Sequence, residues 1–279
     1  MKIAITGGAG FVGSHLAEEL TEEHEVIIFD NLSSGIPDDA RFYEIDIKEG
    51  IPQDHLEDVD VMFHLAANPK VNTFPEDRDK DFRENLKGKK NVLDACVDAV
   101  VDQIVFTSSS VVYGEEADIP TPEEHVLDPI SQYGATKAGG EHMMRVYGRT
   151  FDLDATIVRL ANIVGGRNPK GVTYDFVKKL EDEPSELTIL GNGKQKKSYL
   201  HIEDTVEGII SAWRAEETVF NIGNHDSTSV DRIADIVADE MGIDPDYSYT
   251  GGEKGWTGDV PEMRLDIEKL RAEGWSPSE

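Results

Sequence analysis

In the first half of the chain, apolar residues fall in short, nearly unbroken runs separated by amphipathic stretches. Residues 2–6 form the first run and stop at Gly7-Gly8, and residues 25–30 form the second. Others cover 41–47, 59–67, 103–107 and 156–160. Short runs that are apolar on consecutive positions suit strands buried on both faces. Between them, 14–23, 87–100 and 133–147 read as helices. In the second of these, Val92, Leu93, Cys96 and Val100 recur at helical spacing. This alternation predicts an α/β fold, a parallel sheet covered by helices on both faces.

The second half is less regular. Gly165-Gly166, Asn168-Pro169 and Gly191-Asn192-Gly193 mark turns, while 174–180 and 229–241 read as helices. No repeat and no low-complexity linker appears. A chain of 279 residues then suggests one large α/β domain over 1–160, rejoined by a segment near 198–224, and a smaller lobe over 161–279 packed closely on it.

Charge narrows the choice of partners. Acidic residues number 56 and basic ones 27, a net charge of −29. Such a surface repels nucleic acid and anionic membranes, and no run is long and apolar enough to span a bilayer. The acid is dispersed in pairs such as Glu22-Glu23 and Glu123-Glu124, as on the surfaces of halophilic proteins. The single cysteine, Cys96, excludes an internal disulfide and a cysteine-based zinc site, and no metal site is expected. The chain opens directly on a strand, so no signal peptide is expected and the cytoplasm is the default location.

Gly7, Gly10 and Gly13 give G-x-x-G-x-x-G between the first strand and the first helix. That is the context in which glycines let a chain turn sharply, let a pyrophosphate approach the backbone, and let helix and sheet pack closely. Asp30 ends the second strand, where a carboxylate accepts from both adenosine-ribose hydroxyls and repels a 2′-phosphate, favouring NAD over NADP. Asp46 either bonds the adenine amino group or stands as a surface carboxylate.

At this point the sequence resembles a known family. TGGAGFVGSHL at 6–16, FDNLSSG at 29–35, HLAA at 64–67, SSSVVYG at 108–114, YGATK at 133–137, FNIG at 220–223 and Gly274-Trp275 resemble the extended short-chain dehydrogenases, with nucleotide-sugar 4-epimerases as the most similar member type. The resemblance implies a Rossmann-type doubly wound sheet with a smaller mixed C-terminal substrate lobe, NAD as cofactor, a nucleotide sugar as substrate and a homodimer formed by the helices at 87–100 and 133–147. It implies a cofactor surface of Gly7, Gly10, Phe11, Val12, Asp30, Asn31, Ser33, Gly35, Asp46, Ile47, Leu65, Ala66, Ala67, Asn85, Ser108, Tyr133 and Lys137. Family members usually continue through one more helix after Gly274-Trp275.

Tyr133 and Lys137 lie four apart on a helix and share a face. A phenol of ordinary pKa ~10 is a poor base, and a neighbouring ammonium together with the nicotinamide charge would lower it. The resemblance makes Tyr133 the base at the sugar 4-hydroxyl, Lys137 its partner and Ser109 the hydroxyl on the reacting oxygen, with hydride passing between C4 and NAD through a 4-keto sugar. The resemblance also places Ser110 with Ser109 against the substrate; Ser110, Val111 and Val112 follow Ser109, with no carboxylate for elimination or decarboxylation, which favours epimerisation. Asn85 resembles the asparagine that orients the active-site helix, and Asn162 the one that meets the substrate diphosphate; the alternatives are turn or cap roles. Lys197 stands where the family has a phosphate-binding arginine, and Trp256 where it has a second, with Lys254 or Arg264 as replacements. Met263 is expected near the sugar. A nucleotide-sugar dehydrogenase or reductase, a UDP-N-acetylhexosamine or UDP-uronate epimerase, and a non-catalytic NAD-binding protein remain as alternatives.

Overall fold

The computed structural model describes residues 1–32, 40–68, 77–256 and 258–278. The first half runs β1 (Lys2–Thr6), α1 (Phe11–Thr21), β2 (Glu25–Asp30), β3 (Arg41–Glu44), β4 (Val61–His64), α2 (Gly88–Asp98), β5 (Gln103–Ser109), α3 (Gln132–Phe151) and β6 (Asp154–Leu160). A single wide turn of π-helix, Phe82–Lys87, leads into α2. The second half adds β7 (Asn162–Val164), α4 (Val172–Asp182), β8 (Glu186–Ile189), β9 (Lys196–Lys197), β10 (Tyr199–His201), α5 (Ile202–Arg214), β11 (Val219–Ile222), β12 (Thr228–Ser229), α6 (Val230–Met241), β13 (Asp246–Tyr249), β14 (Glu262–Met263) and α7 (Glu268–Ala272).

Seven strands form one parallel sheet in the order β3-β2-β1-β4-β5-β6-β11. The chain winds outward from β1 in one direction, then returns to β4 and winds the other way. Beside β1 and β4 this reversal opens a crevice at the carboxyl ends of the strands, where doubly wound sheets bind ligands.

The unbroken strand runs are explained by the two cores. Alternate residues point to opposite faces. Ile3, Ile5, Val26, Ile28, Phe63, Val105 and Val158 meet α1 and α5 on one face. Ala4, Ile27, Phe29, Met62, Ile104, Phe106 and Ile157 meet α2 and α3 on the other, and Cys96 is buried there as a free thiol.

Helix ends differ from the sequence reading for local reasons. α1 starts at Phe11, not at residue 14, because Gly10 takes the extended N-cap conformation. α3 reaches Phe151: the Ser131 side chain caps its start by accepting from the Gly134 N–H, and left-handed Asp152 ends it.

α5 and β11 return to the main sheet. β10 pairs with β7, α5 packs against α1, and β11 adds the strand beside β6. The remaining lobe has its own core, in which α4 and α6 pack Phe176, Leu180, Ile233 and Val237 against Leu187 and Ile189 of β8. Among the described residues no helix is long and apolar enough to cross a membrane.

Candidate active site

The glycine turn after β1 leaves no room for a side chain at Gly7, Gly8 or Gly13. Gly7 sits at φ +75°, and a Cβ there would meet the Ala66 nitrogen at 2.6 Å. A Cβ on Gly13 would lie 2.1 Å from the Gly7 carbonyl oxygen. Gly10 donates to that same carbonyl and opens α1, whose first turn has no acidic residue and no side-chain cap among the described residues. Phe11 and Val12 therefore occupy a helix start whose N–H groups and dipole suit an anion.

Asp30 closes the neighbouring strand end. It is buried, accepts from the Ala9 N–H at 3.0 Å on one carboxylate oxygen and from the Leu32 N–H at 2.7 Å on the other, and so is fixed beside the glycine turn. Asn31 follows it. Ser33 and Gly35 lie outside the described residues. Asp46 accepts from the Lys48 N–H and pairs with its ammonium at 3.2 Å, while Ile47 is buried against Gly88. Leu65, Ala66 and Ala67 leave β4 next to the turn, and the Leu65 N–H donates to the Thr6 carbonyl.

Across the crevice, β5 and α3 bring Ser109, Tyr133 and Lys137 together. The Ser109 hydroxyl lies close enough to the Tyr133 phenol to favour its ionised form. Lys137 is buried, its ammonium 5.7 Å from the centre of the Tyr133 ring and donating to the Thr107 carbonyl at 2.8 Å. In the chain alone the phenol is not lowered as the sequence reading expects. Burial pushes it up to about 12, against the Ser109 hydroxyl and with help from the Asp81 carboxylate. Burial also pulls Lys137 down to about 7, opposed by Glu141. Burial dominates both shifts, so in the chain alone the phenol is held protonated.

Two buried networks seat this helix. Asn85, in the π turn, accepts from the Asn68 N–H at 2.8 Å and donates to the Thr136 hydroxyl at 3.1 Å, tying the β4 exit to α3. Glu141 accepts from both sides of the Arg159 guanidinium at 2.9 and 2.7 Å. Arg159 also donates to the Tyr113 hydroxyl, which donates to Asn221. The Ser108 hydroxyl belongs to this network, donating to Glu141 at 2.7 Å, so it is Ser109 that meets Tyr133. Ser110 is buried at the start of the turn that follows. The sequence reading missed Glu141 and Arg159. Arg159, a charge inside the apolar strand β6, is the one signal that a buried partner must meet it.

On the second lobe, Asn162 donates to the Ser198 carbonyl and lies opposite Tyr199, two residues from Lys197. Lys197 is mostly buried, paired with the buried Asp259 and 4.8 Å from the centre of the Trp256 ring. Met263 sits opposite Lys197 in the strand pair. Lys254 pairs with Glu115 at 2.6 Å and Arg264 donates to the His225 carbonyl at 3.0 Å.

A glycine cradle that any Cβ would fill, an uncapped helix start and a fixed carboxylate at the next strand end fit a dinucleotide. With a Ser–Tyr–Lys group across the crevice, they define a dinucleotide-dependent oxidoreductase-type enzyme of the short-chain class. The model of the NAD dependent epimerase/dehydratase family matches residues 3–223, and the chain belongs to that family, with NAD as its cofactor. A Methanocaldococcus jannaschii relative provisionally named a UDP-glucose 4-epimerase is 34% identical over 99% of this chain and 93% of its own length. A crystal structure of a UDP-galactose 4-epimerase is 40% identical, with a TM-score of 0.90 over 100% of this chain and 94% of that one. A Bacillus cereus UDP-glucuronic acid 4-epimerase, solved with UDP-glucuronic acid and NAD, is 28% identical with a TM-score of 0.91, over 100% of this chain and 95% of that one.

Proposed function

We propose that this enzyme interconverts UDP-glucose and UDP-galactose by inverting C4 of the sugar. The observation that carries the reading is the buried Lys137 with its ammonium 5.7 Å from the centre of the Tyr133 ring, and the Ser109 hydroxyl close enough to favour ionisation of that phenol. A sugar 4-hydroxyl placed between Ser109 and Tyr133 reaches both. Ser109 holds the sugar oxygen, and Tyr133 takes its proton and later returns it. Lys137, with its ammonium held by the Thr107 carbonyl, stabilises the phenolate. Gly7, Gly10, Phe11, Val12 and Asp30 would hold NAD, which when bound supplies reversible hydride acceptance at C4 and the positive charge that the phenol lacks in the chain alone. Asn162 and Lys197 would meet the diphosphate. The turn after Ser109 carries no carboxylate, which supports epimerisation over elimination.

A second reading, a UDP-uronate or UDP-N-acetylhexosamine substrate, is favoured by the likeness to the Bacillus cereus enzyme and by flexible Met263 opposite Lys197. We further infer a homodimer through α2 and α3, supported by exposed Val146 and Phe151 on α3, and a working range at high salt, supported by the net charge of −29.

The test is incubation with UDP-glucose in high salt without added cofactor, following UDP-galactose. Tyr133→Phe is expected to lower turnover by about 10²–10⁴-fold with NAD still bound. Near-normal rates in that variant would show the base to be wrongly assigned. Conversion of UDP-glucuronic acid but not UDP-glucose would select the second reading.

A further inference from the structure

Just past the glycine turn, a loop of the second lobe reaches back to α1. This loop, residues 165–171, runs from β7, which carries Asn162, to α4. From it the Arg167 guanidinium forks onto the two carboxylate oxygens of Glu18, at 2.8 and 2.5 Å. One fork nitrogen also donates to the Ser14 hydroxyl at 3.2 Å, and the other to His15 Nδ1 at 3.3 Å. His15 Nε2 in turn donates to the Gly166 carbonyl at 3.1 Å. A guanidinium only donates and a carbonyl only accepts, so the two contacts require neutral His15 with its proton on Nε2.

Two features set this contact apart from an ordinary surface ion pair. Arg167 holds its backbone at φ +65°, a conformation unfavourable for a residue with a side chain. Asn168 pins the loop behind it, donating to the Ile163 carbonyl of β7 at 3.0 Å and accepting from the Lys170 N–H at 3.1 Å. A single exposed pair adds little to stability. Arg167 and Glu18 are half-exposed, but their fork is bidentate and two more residues of α1 take part.

The contact lies within one turn of the surface that would hold NAD. The Ser14 N–H donates to the Gly10 carbonyl, and the Phe11 ring meets His15 edge-on at 5.9 Å. A dinucleotide leaves this crevice only when its walls part, and at this end they part only when Arg167 lets go of α1. Resting on the placement of NAD at the start of α1 given above, we propose that Arg167 is a positioning residue, a strap from the substrate wall to the cofactor helix that slows the departure of NAD.

The experiment loads the protein with radiolabelled NAD and follows its loss into excess unlabelled NAD, with no sugar present. Release is expected to be about 3- to 20-fold faster in Arg167→Gln and in Glu18→Gln. The double variant is expected to be no faster than either single one, since both remove the same fork. Arg167→Lys keeps the charge without the fork, and its rate is expected to fall between wild type and Arg167→Gln. Release unchanged in both Arg167 variants, or single effects that add in the double variant, overturns the strap. No sugar enters the measurement, so a wrongly assigned substrate or base leaves the outcome as it is. NAD retained by Gly13→Ala would instead remove the placement on which the strap rests.

Discussion

The two walls of the crevice are built from different materials. On the cofactor side the surface is backbone: a glycine turn, a helix start and a carboxylate locked by two N–H groups. On the lobe side, where we propose that the nucleotide sugar binds, the positions are side chains with partners of their own, Lys197 with Asp259 and Trp256, and Asn162 with the Ser198 carbonyl. A backbone wall is complete before its ligand arrives and tolerates almost no added atom. A wall of paired charges must exchange one partner for another, so its affinity depends on how tightly the pair is held and on salt.

The strongest test of this contrast is Gly13→Ala. The new methyl meets a carbonyl oxygen that cannot move without dismantling the turn. A loss of about 1–3 kcal/mol of stability is expected, with NAD missing from the purified protein, read by denaturant melts and by cofactor released on acid treatment. Lys197→Met should do the opposite in kind. NAD content stays normal while KM for the nucleotide sugar rises about 10- to 100-fold, the worth of a hydrogen bond to a charged group. Asp259→Asn releases Lys197 from its competitor; KM is expected to fall several-fold at low salt and to climb more steeply with ionic strength than in the wild type. The smallest effect is expected for Trp256→Leu, a two- to five-fold rise in KM from the loss of roughly 0.5–1 kcal/mol of cation–π support. If Gly13→Ala retained NAD, or Lys197→Met lost it, the division between the walls would fail.

Legibility in the sequence followed the same division. The central strands were readable because both faces are buried, which leaves consecutive apolar letters. The glycine spacing was readable because it excludes every other residue. Tyr133 and Lys137 were readable because one helical turn separates them. Glu141 and Arg159 were not, because their partners come from distant elements: Arg159 reads as an exception inside an apolar strand until Glu141 is seen to meet it. α5 was not resolved as an element, although Ile202, Val206, Ile209 and Trp213 follow a helical stripe, because the glycine-marked turns before it obscured the alternation. Ser108 and Ser109 look equivalent as letters; the pleat of β5 sends one to Glu141 and the other to Tyr133.

The ladder from Glu141 through Arg159 and Tyr113 to Asn221 has a consequence for how the molecule is made. Its last rung joins residues 108 positions apart, and Asn221 in turn donates to the carbonyls of Thr121 and Asp266. On the ribosome, a nascent chain that has emerged as far as β6 contains Ser109, Tyr133 and Lys137 but lacks the strand that anchors the hydroxyl under Arg159. The ladder that holds Glu141 of α3 is thus completed only after about four-fifths of the polypeptide has been synthesised, and a shorter product carries Tyr133 and Lys137 without the last rung of that frame.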